Sequence, residues 1–311
     1  MPVVRAAQVL SISVIAIGMI QPALGGEGPT PFSHWALNET SGLLAWEDVN
    51  GYYATYVGGP TLGLPGSLDP CHNTAVGFDG ANDRVLATGF GGLLNMGTDS
   101  FTVIVRFRKT TDSPDWMKII NKGLTVSGTP QNAGYGMRIR EGIIEFHVSD
   151  GSGAVRALST EPAQLGWHFV AGVLDRNAGE IRLHLDPTDA NPTVFDTFAS
   201  LGSLDTNIDF AIGALDRSPV GNPSEFFEGW IDDVQLYREA LTGDQLLALY
   251  QEQPCQADLA APFGVLDLAD VLSFIAAFQA GDAVADLAAP CGTYDLTDVT
   301  AFVTVFLDGC F

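Results

Sequence analysis

Across residues 31–242, apolar and polar residues alternate in short segments that are separated by turn signals such as Asp79-Gly80 and Asp150-Gly151. The clearest alternating segments are residues 101–108 (FTVIVRFR), 142–148 and 181–185. A period of two places successive side chains on opposite faces of a strand. Many short strands without an intervening helical period predict a mainly β fold, an antiparallel sandwich or barrel.

One helix is predicted at the end of this β region. Residues 241–250 (LTGDQLLALY) carry Thr242 as a candidate N-cap, and Gln245 follows three residues later. This spacing is typical of a capping box, in which the two side chains satisfy each other's backbone N–H groups.

The C-terminal segment contains an internal repeat. Residues 257–271 (ADLAAPFGVLDLADV) recur 28 residues later as residues 285–299 (ADLAAPCGTYDLTDV). Each copy leads into apolar positions spaced i, i+3, i+4, i+7, namely Val271, Phe274, Ile275 and Phe278, then Val299, Phe302, Val303 and Phe306. We therefore predict two loop-plus-helix units whose apolar stripes pack face to face, because neither stripe can be buried alone.

The N-terminal segment predicts export. Arg5 precedes the largely apolar residues 9–20, and Ala23-Leu24-Gly25 has the small residues of a cleavage site. The alternative, a membrane anchor, needs about 20 apolar residues, more than this run provides. The predicted organisation is a signal peptide at 1–25, a β domain at 30–250, a linker at 251–256 and a helical module at 257–311.

Charge and cysteine content narrow the partners. The chain has 37 acidic and 14 basic residues, a net charge of −23, which disfavours nucleic acid and anionic membranes. Calcium, cationic partners and neutral sugars remain compatible, and the acidity is equally explained as a solubility device. Four cysteines in an exported chain predict disulfides. Cys255 and Cys310 bracket the repeats, so a bond between them would close the module, whereas the partner of Cys291, with Cys71 as one option, stays open.

Several segments of the β region together resemble the laminin-G-like domains of the concanavalin A-like lectin/glucanase class. They are residues 34–42 (HWALNETSG), 48–51 (DVNG), 75–80 (AVGFDG), 167–170 (WHFV) and 227–237 (FEGWIDDVQLY). The resemblance implies a jelly-roll sandwich with a calcium ion at one edge, held by Asp48 and by Asp232 or Asp233. Alternatively, Asp48 merely holds a turn with Asn50-Gly51, and one of the other two aspartates is solvated.

The repeat pair, with Gly309-Cys310 closing the chain, resembles the dockerin-like modules of exported planctomycete-type bacterial proteins. The resemblance implies EF-hand-like calcium loops and a cohesin-like or envelope partner. The implied ligands are Asp258, Asp267, Asp270, Asp286, Asp295 and Asp298. Both loops lack the carboxylates that an EF-hand carries at positions 3 and 5. Helix capping is the alternative for four of these residues, with Asp267 and Asp295 at N-caps and Asp270 and Asp298 at N3.

The sequence favours binding over catalysis. Retaining glycosidases need two carboxyl groups about 5 Å apart, whereas Glu141 and Glu145 are about 13 Å apart along a strand. The aromatic residues that we predict to stack on sugars are Tyr52, Tyr53, Tyr56 and Trp116, although Tyr53 and Trp116 are equally explained as covers of the core. We predict a secreted or cell-surface, non-catalytic adhesion protein that binds carbohydrate. The alternatives are a structural module that binds extracellular proteins and a glycosidase-like enzyme.

Overall fold

The computed structural model describes residues 28–68, 73–90, 92–113, 116–123, 133–217, 222–251, 256–261, 265–288 and 290–308. The predicted signal peptide and Cys71, Cys255 and Cys310 lie outside these ranges. The strands in chain order are β1 (Ser33–Trp35), β2 (Leu44–Glu47), β3 (Tyr52–Val57), β4 (Thr61–Pro65), β5 (Thr74–Asp79), β6 (Arg84–Ala87), β7 (Phe101–Lys109), β8 (Met117–Gly123), β9 (Gly134–Arg140), β10 (Ile143–Ser149), β11 (Ala154–Leu158), β12 (Gly166–Asp175), β13 (Glu180–Leu185), β14 (Val194–Thr197), β15 (Phe210–Ile212) and β16 (Glu228–Tyr237). The helices are α1 (Gly243–Gln251), α2 (Leu268–Ala280) and α3 (Leu296–Asp308), with a short 3-10 helix at Ala283–Ala285.

The strands form two eight-stranded antiparallel sheets. The first sheet has the order β14-β13-β12-β7-β16-β5-β4, and β1 also pairs with β16. The second has the order β11-β10-β9-β8-β15-β6-β3-β2. Half of the paired strands are not consecutive in the chain, as in a jelly roll, and all pairs are antiparallel, so the predicted antiparallel sandwich is confirmed.

The alternating strands build the core between the sheets. Along β7, Phe101, Val103, Val105 and Phe107 point inward and are fully buried. The side chains between them point to the outer face of the first sheet, where α1 covers Ile104. The predicted capping box starts α1, because Thr242 N–H donates to Gln245 Oε1 and Gln245 N–H donates to Thr242 Oγ1.

The two C-terminal helices reproduce the repeat, since α2 and α3 are both 13 residues long and begin 28 residues apart. They pack face to face as predicted, with Phe274 and Phe302 buried at their contact. Two stripe residues differ from the prediction, because Ile275 and Val303 stay 44% and 45% exposed. They line an apolar groove of about 220 Å³ between the helices.

In the part of the chain that the structure describes, no helix has the length and apolarity needed to span a membrane. Cys291 is disulfide-bonded. Its partner lies outside the described residues, so the pairing of Cys255 with Cys310 remains a prediction.

Candidate functional site

The outward-pointing side chains of the second sheet are exposed at its two edges and buried at its centre, where His147, Asn121 and Ala211 are at most 2% exposed. The strand registers align a single row of outward-pointing residues across all eight strands. In order from β11 to β2, the row is Arg156, His147, Gly136, Asn121, Ala211, Leu86, Thr55 and Leu44. Because side chains alternate along each strand, residues two positions away point the same way. We call this surface the outer face.

Exposed aromatic residues occupy the β2–β3 end of the outer face. Trp46 and Tyr53 are directly opposite in the hairpin register. Their ring centroids are 4.5 Å apart, and the residues are 38% and 55% exposed. Tyr52 is also exposed, but it follows the opposite parity and packs on Phe90 with centroids 5.1 Å apart. Tyr52 and Tyr53 are therefore exposed, as a residue that stacks on a sugar must be.

Tyr56 does not fit the predicted role of a sugar-stacking residue. It shares the inward parity of Ala54 and is only 5% exposed. Its hydroxyl donates a hydrogen bond of 2.7 Å to Glu39 Oε2. Burial and this hydrogen bond raise the pKa of Tyr56. It is a core residue with a satisfied hydroxyl, because an even position on β3 points into the sandwich.

Trp116 directly precedes β8, which lies near the middle of the strand order, and its ring contacts β9. Arg138 Cζ is 4.0 Å and Arg140 Cζ is 4.7 Å from its ring centroid. Arg138 also donates to both carboxylate oxygens of Glu145 at 2.8 Å. The predicted exposed platform is thus a half-buried ring in contact with two guanidinium groups.

Two buried titratable groups lie next to this cluster. Lys118 Nζ is 3.0 Å from His147 Nε2, and both residues are almost fully buried. Burial lowers the pKa of Lys118 to about 7. Burial and the positive charge of Lys118 also hold the pKa of His147 well below its ordinary value. At neutral pH His147 is therefore an uncharged ring.

The predicted calcium residues of the sandwich are brought together by a histidine. His34 on β1 donates through Nε2 to Asp233 Oδ1 at 2.6 Å, and its Nδ1 is 3.3 Å from Asp48 Oδ2. Burial opposes protonation of His34, but the hydrogen bond to Asp233 and the charges of both aspartates outweigh it and raise its pKa. A protonated His34 therefore places one positive charge between the two carboxylates, and Arg106 Nε lies 3.6 Å from Asp233 Oδ2.

The turn after β2 is held by a residue other than Asp48. Glu47 is fully buried, and its carboxylate accepts from the backbone N–H groups of His34 and Asn50. The alternative interpretation of Asp48, as the residue that holds the turn, is therefore wrong, because Glu47 makes those hydrogen bonds.

Asp232 and Asp233 lie at an irregularity in β16, where the register with β7 shifts. Asp233 has a φ of 55°, a conformation that non-glycine residues rarely adopt. Asp232 accepts from Ser67 N–H and Oγ–H through Oδ2, while its buried Oδ1 has no partner among the described residues. Burial raises the pKa of Asp232 to about 7. Neither aspartate is a solvated surface residue, and the calcium prediction here remains a prediction.

In the tail, four of the six predicted ligands cap helices. Asp267 accepts from Ala269 N–H, and Asp295 accepts from Thr297 N–H. The buried Asp298 accepts from three N–H groups, those of Leu287, Ala288 and Asp295. Asp270 makes the equivalent three bonds in the first repeat. Bonds from the N–H groups of Asp267, Ala260 and Leu259 lower the pKa of Asp270. The capping interpretation is confirmed for these residues.

The remaining two predicted ligands, Asp258 and Asp286, precede the repeat loops. Asp286 Oδ2 accepts from Gly292 N–H at 2.6 Å, whereas its Oδ1 is buried without a partner in the described ranges. Within those ranges, no three His, Cys, Asp or Glu side chains cluster in a way that would hold a metal ion. A calcium ion in a tail loop would therefore also need backbone or water oxygens.

Sequence reasoning missed Trp46. The signal was present, because the turn signal Asn50-Gly51 predicts a hairpin around residues 48–51, and such a hairpin places residue 46 opposite residue 53. The alternation of Leu44, Ala45 and Trp46 then places the indole on the face opposite Ala45.

Comparison with solved structures identifies the same architecture. The receptor-binding domain of the botulinum neurotoxin C/D mosaic serotype has a TM-score of 0.53 at 13% identity, over 74% of this chain and 52% of that chain. The binding domain of Paraclostridial Mosquitocidal Protein 1 has a TM-score of 0.55 at 9% identity, over 74% and 53%. The botulinum neurotoxin serotype D ligand binding domain, in complex with N-acetylneuraminic acid, has a TM-score of 0.51 at 14% identity, over 74% and 52%. Matches thus span about half the length of these structures, and they establish the fold.

A comparison with curated proteins returned no match. The profile of the laminin-G-like group "Concanavalin A-like lectin/glucanases superfamily" matches residues 79–247, more than half of the chain. The matched segment extends from the end of β5 into α1 and so includes most strands of both sheets. The chain belongs to the concanavalin A-like lectin/glucanases superfamily.

Proposed function

We propose that the protein is an exported, non-catalytic carbohydrate-binding protein that holds its ligand on the outer face of the second sheet. The observation that carries this proposal is the exposed pair of Trp46 and Tyr53, with ring centroids 4.5 Å apart on that face. Contiguous exposed apolar surface is a feature of binding sites, and adjacent aromatic rings can stack on the apolar faces of pyranose rings.

The location of the pair supports a ligand that lies on the β2–β3 edge of the sheet. Thr55 and Leu44 beside the pair are exposed, whereas Ala211, Asn121 and Gly136 farther along the row are buried. Trp116, the other predicted stacking residue, has its ring in contact with two arginines on β9. The primary stacking position is therefore assigned to Trp46 and Tyr53.

The fold neighbours support a sugar ligand. One of them, the serotype D ligand binding domain, is a complex with N-acetylneuraminic acid. That neighbour shares only 14% identity with this chain. Its ligand is therefore a guide to the class of ligand to be tested, not to the residues that bind it.

The charges on the outer face support binding without hydrolysis. A retaining site needs one carboxyl group as nucleophile and a second as acid, about 5 Å apart. On the described strands of this face the carboxylate is Glu145, and both of its oxygens accept hydrogen bonds from Arg138. Glu145 is therefore held by an ion pair, and the described strands of this face carry no second carboxylate beside it.

Glycan-array binding of the full chain tests the proposal. The double variant Trp46→Ala/Tyr53→Ala is expected to lose at least about tenfold in affinity, which corresponds to roughly 1.4 kcal/mol. Phe195→Ala is the matched control, since Phe195 is a 57% exposed aromatic residue on the edge strand of the other sheet. Absence of glycan binding by the unaltered chain, or unchanged binding by the double variant, would overturn the proposal.

We further propose that the N-terminal segment exports the chain and that the tail anchors it through a cohesin-like or envelope partner. The apolar groove between α2 and α3 supports this role, as do the exposed Leu268, Leu296 and Leu307. Deletion of residues 257–311 is then expected to move the protein from the cell envelope to the medium, without loss of sugar binding. Envelope retention of the truncated chain would refute the anchoring role.

A second candidate function is protein binding by the same hairpin. Leu43, Leu44 and Val49 are 73%, 49% and 47% exposed and continue the aromatic patch along the edge strand. A protein ligand would use these aliphatic side chains, whereas a sugar would depend on the rings. Loss of protein capture in Leu43→Ser/Leu44→Ser, combined with a silent glycan array, would favour this alternative.

A further inference from the structure

An open polar cleft lies at one end of the first sheet. Its volume is about 540 Å³, which falls within the range of roughly 300 to 1,000 Å³ that small-molecule sites have. In this sheet β7 lies between β12 and β16 and is antiparallel to both. The start of β7 is therefore beside the ends of its two neighbours. The segments at these three strand ends, residues 98–100, 175–177 and 238–240, line the cleft.

Arg176 fixes the shape of the cleft. Its guanidinium donates four hydrogen bonds, of 2.6 to 3.3 Å, to backbone carbonyl oxygens of residues 97–99 and 201–202. Its backbone N–H donates to Ser100 Oγ at 3.0 Å. The turn between β12 and β13 is thus tied to the segment before β7, and the two walls that they form keep their spacing without a ligand.

Arg238 on the third wall is held in place but keeps free donors. It donates to the carbonyl oxygens of Leu93 and Asn95 at 2.6 and 3.3 Å, and its Cζ is 4.4 Å from the ring centroid of Phe32. A guanidinium has five N–H donors, and these two bonds leave the others available. Because Arg238 is exposed, those donors can reach a ligand in the cleft.

The acceptors of the cleft are also available. Its exposed side chains without a hydrogen bond or ion pair in the described ranges are Thr98, Asp99, Asn177 and Glu239. Asp175 differs from them, because one of its carboxylate oxygens accepts two backbone N–H groups of the following turn and the other accepts from Arg182. The unused acceptors therefore come from two walls of the cleft and from its turn, and they face the same opening as Arg238.

The lining favours a neutral ligand that is rich in hydroxyl groups. The carboxylates of Asp99 and Glu239 balance the charges of Arg176 and Arg238, so the cleft selects neither cations nor anions by net charge. A sugar hydroxyl both donates and accepts, and it can therefore use both kinds of group. No aromatic side chain is among the described residues that line the cleft. Binding here depends on hydrogen bonds to charged groups, which are stronger than bonds between neutral groups, and not on stacking.

We propose that this cleft is a second binding site, which takes a neutral sugar residue. Asp99 and Glu239 accept hydrogen bonds from its hydroxyl groups, and Arg238 donates to them. The site goes beyond the proposed function, because it lies on the first sheet and shares no residue with the stacking pair Trp46 and Tyr53. Two sites on one chain raise the overall affinity for a surface that displays many sugar groups.

Ligand-observed NMR titration of the full chain tests the inference. The chain carries Trp46→Ala/Tyr53→Ala, so that the stacking pair does not contribute. Galactose, glucose and mannose are the neutral probes, lysine is the cationic probe and glucuronate is the anionic probe. At least one neutral sugar is expected to bind more tightly than both charged probes.

Adding Asp99→Asn/Glu239→Gln to this chain is expected to lower the affinity for that sugar on the order of tenfold, because two charge-assisted hydrogen bonds become neutral ones. Both side chains are exposed and make no hydrogen bond in the described ranges, so the melting temperature should not change.

Asp196→Asn is the control, because Asp196 is an exposed aspartate on β14 of the same sheet and does not line the cleft. It should leave sugar binding intact. Three results overturn the inference: no binding of a neutral sugar, a preference for lysine or glucuronate, or an affinity that survives Asp99→Asn/Glu239→Gln. Each leaves the proposed function standing, because that function is judged by the glycan array and the hairpin variant alone.

Discussion

Phe274 and Phe302 stack with ring centroids 4.1 Å apart and planes inclined by only 12°. The two residues are equivalent positions of the two repeats, because they lie 28 residues apart in the chain. Each is the buried member of its helix stripe. The duplicated segment therefore buries its apolar surface by pairing a residue with its own copy.

Replacing Phe302 with alanine is expected to destabilise the helix pair by roughly 3 to 5 kcal/mol, the usual cost of removing a buried phenylalanine. Hydrogen exchange of the α2 and α3 amides in the full chain measures this effect. Exchange should accelerate in both helices, because the stack belongs to both. Val303→Ala is the matched control, since Val303 is 45% exposed on the same helix. Acceleration limited to α3 would contradict a shared core.

Asp298→Ala should loosen the loop before α3. The substitution removes the acceptor of three backbone N–H groups, those of Leu287, Ala288 and Asp295. Loss of a capping side chain costs about 0.5 to 2 kcal/mol. Faster exchange of these three amides is expected, together with a lower melting temperature. Asp244→Ala is the control, because Asp244 is an exposed aspartate in the first turn of α1. It should change neither the exchange of these three amides nor the melting temperature. Unchanged exchange at Leu287 and Ala288 would disprove the capping role.

Local patterns predicted much of this molecule. The capping box at Thr242 and Gln245 and the two repeat helices follow from spacing alone, because their contacts are within a few residues or within one repeat. The β-sandwich also follows from alternation. The exposed position of Trp46 could also have been predicted, because the hairpin turn places Trp46 opposite Tyr53.

Contacts between segments that are distant in the chain could not be predicted from the sequence. Asp233 and His34 are 199 residues apart, and their hydrogen bond depends on β1 pairing with β16. Trp116 meets Arg138 and Arg140 only because β8 pairs with β9. The burial of Tyr56 could be predicted only from knowing which face of β3 points into the sandwich. A register shift of one residue would have reversed that face. Strand order, which alternation does not specify, therefore decides the site.

Calcium binding by the tail, one of the two calcium sites that the sequence resemblances imply, should depend on Asp286. This residue retains a buried oxygen, Oδ1, without a hydrogen-bond partner in the described ranges, whereas the oxygens of Asp298 accept N–H groups. Titration calorimetry on the full chain is expected to give weak binding, in the range of about 10⁻⁴ to 10⁻³ M that extracellular modules have. Asp286→Asn should abolish the heat, and Asp48→Asn should not. The reverse pattern would place the ion in the sandwich, and no heat in the unaltered chain would refute the calcium prediction.

His168 should make folding stability fall as pH rises. Its Nδ1 lies 2.6 Å from Asp186 Oδ2 and its Nε2 lies 2.7 Å from the carbonyl oxygen of Gln164. Only a protonated ring donates to both acceptors. Burial opposes protonation, but the hydrogen bonds to Asp186 and Gln164 outweigh it and raise the pKa of His168.

Because the folded pKa exceeds the unfolded value of about 6.5, the stabilisation is fully present below that pH. It is lost as pH rises through the folded pKa. In urea unfolding, His168→Gln is expected to cost on the order of 1 kcal/mol at pH 5.5 and less at pH 9. His184→Gln is the comparison of opposite sign, since burial lowers the pKa of His184 to about 4, below the unfolded value of about 6.5. At pH 5.5 the unfolded chain binds a proton at His184 and the folded chain does not, so His184→Gln should cost less at pH 5.5 than at pH 9. An equal cost of His168→Gln at the two pH values would show that His168 is not protonated in the folded chain.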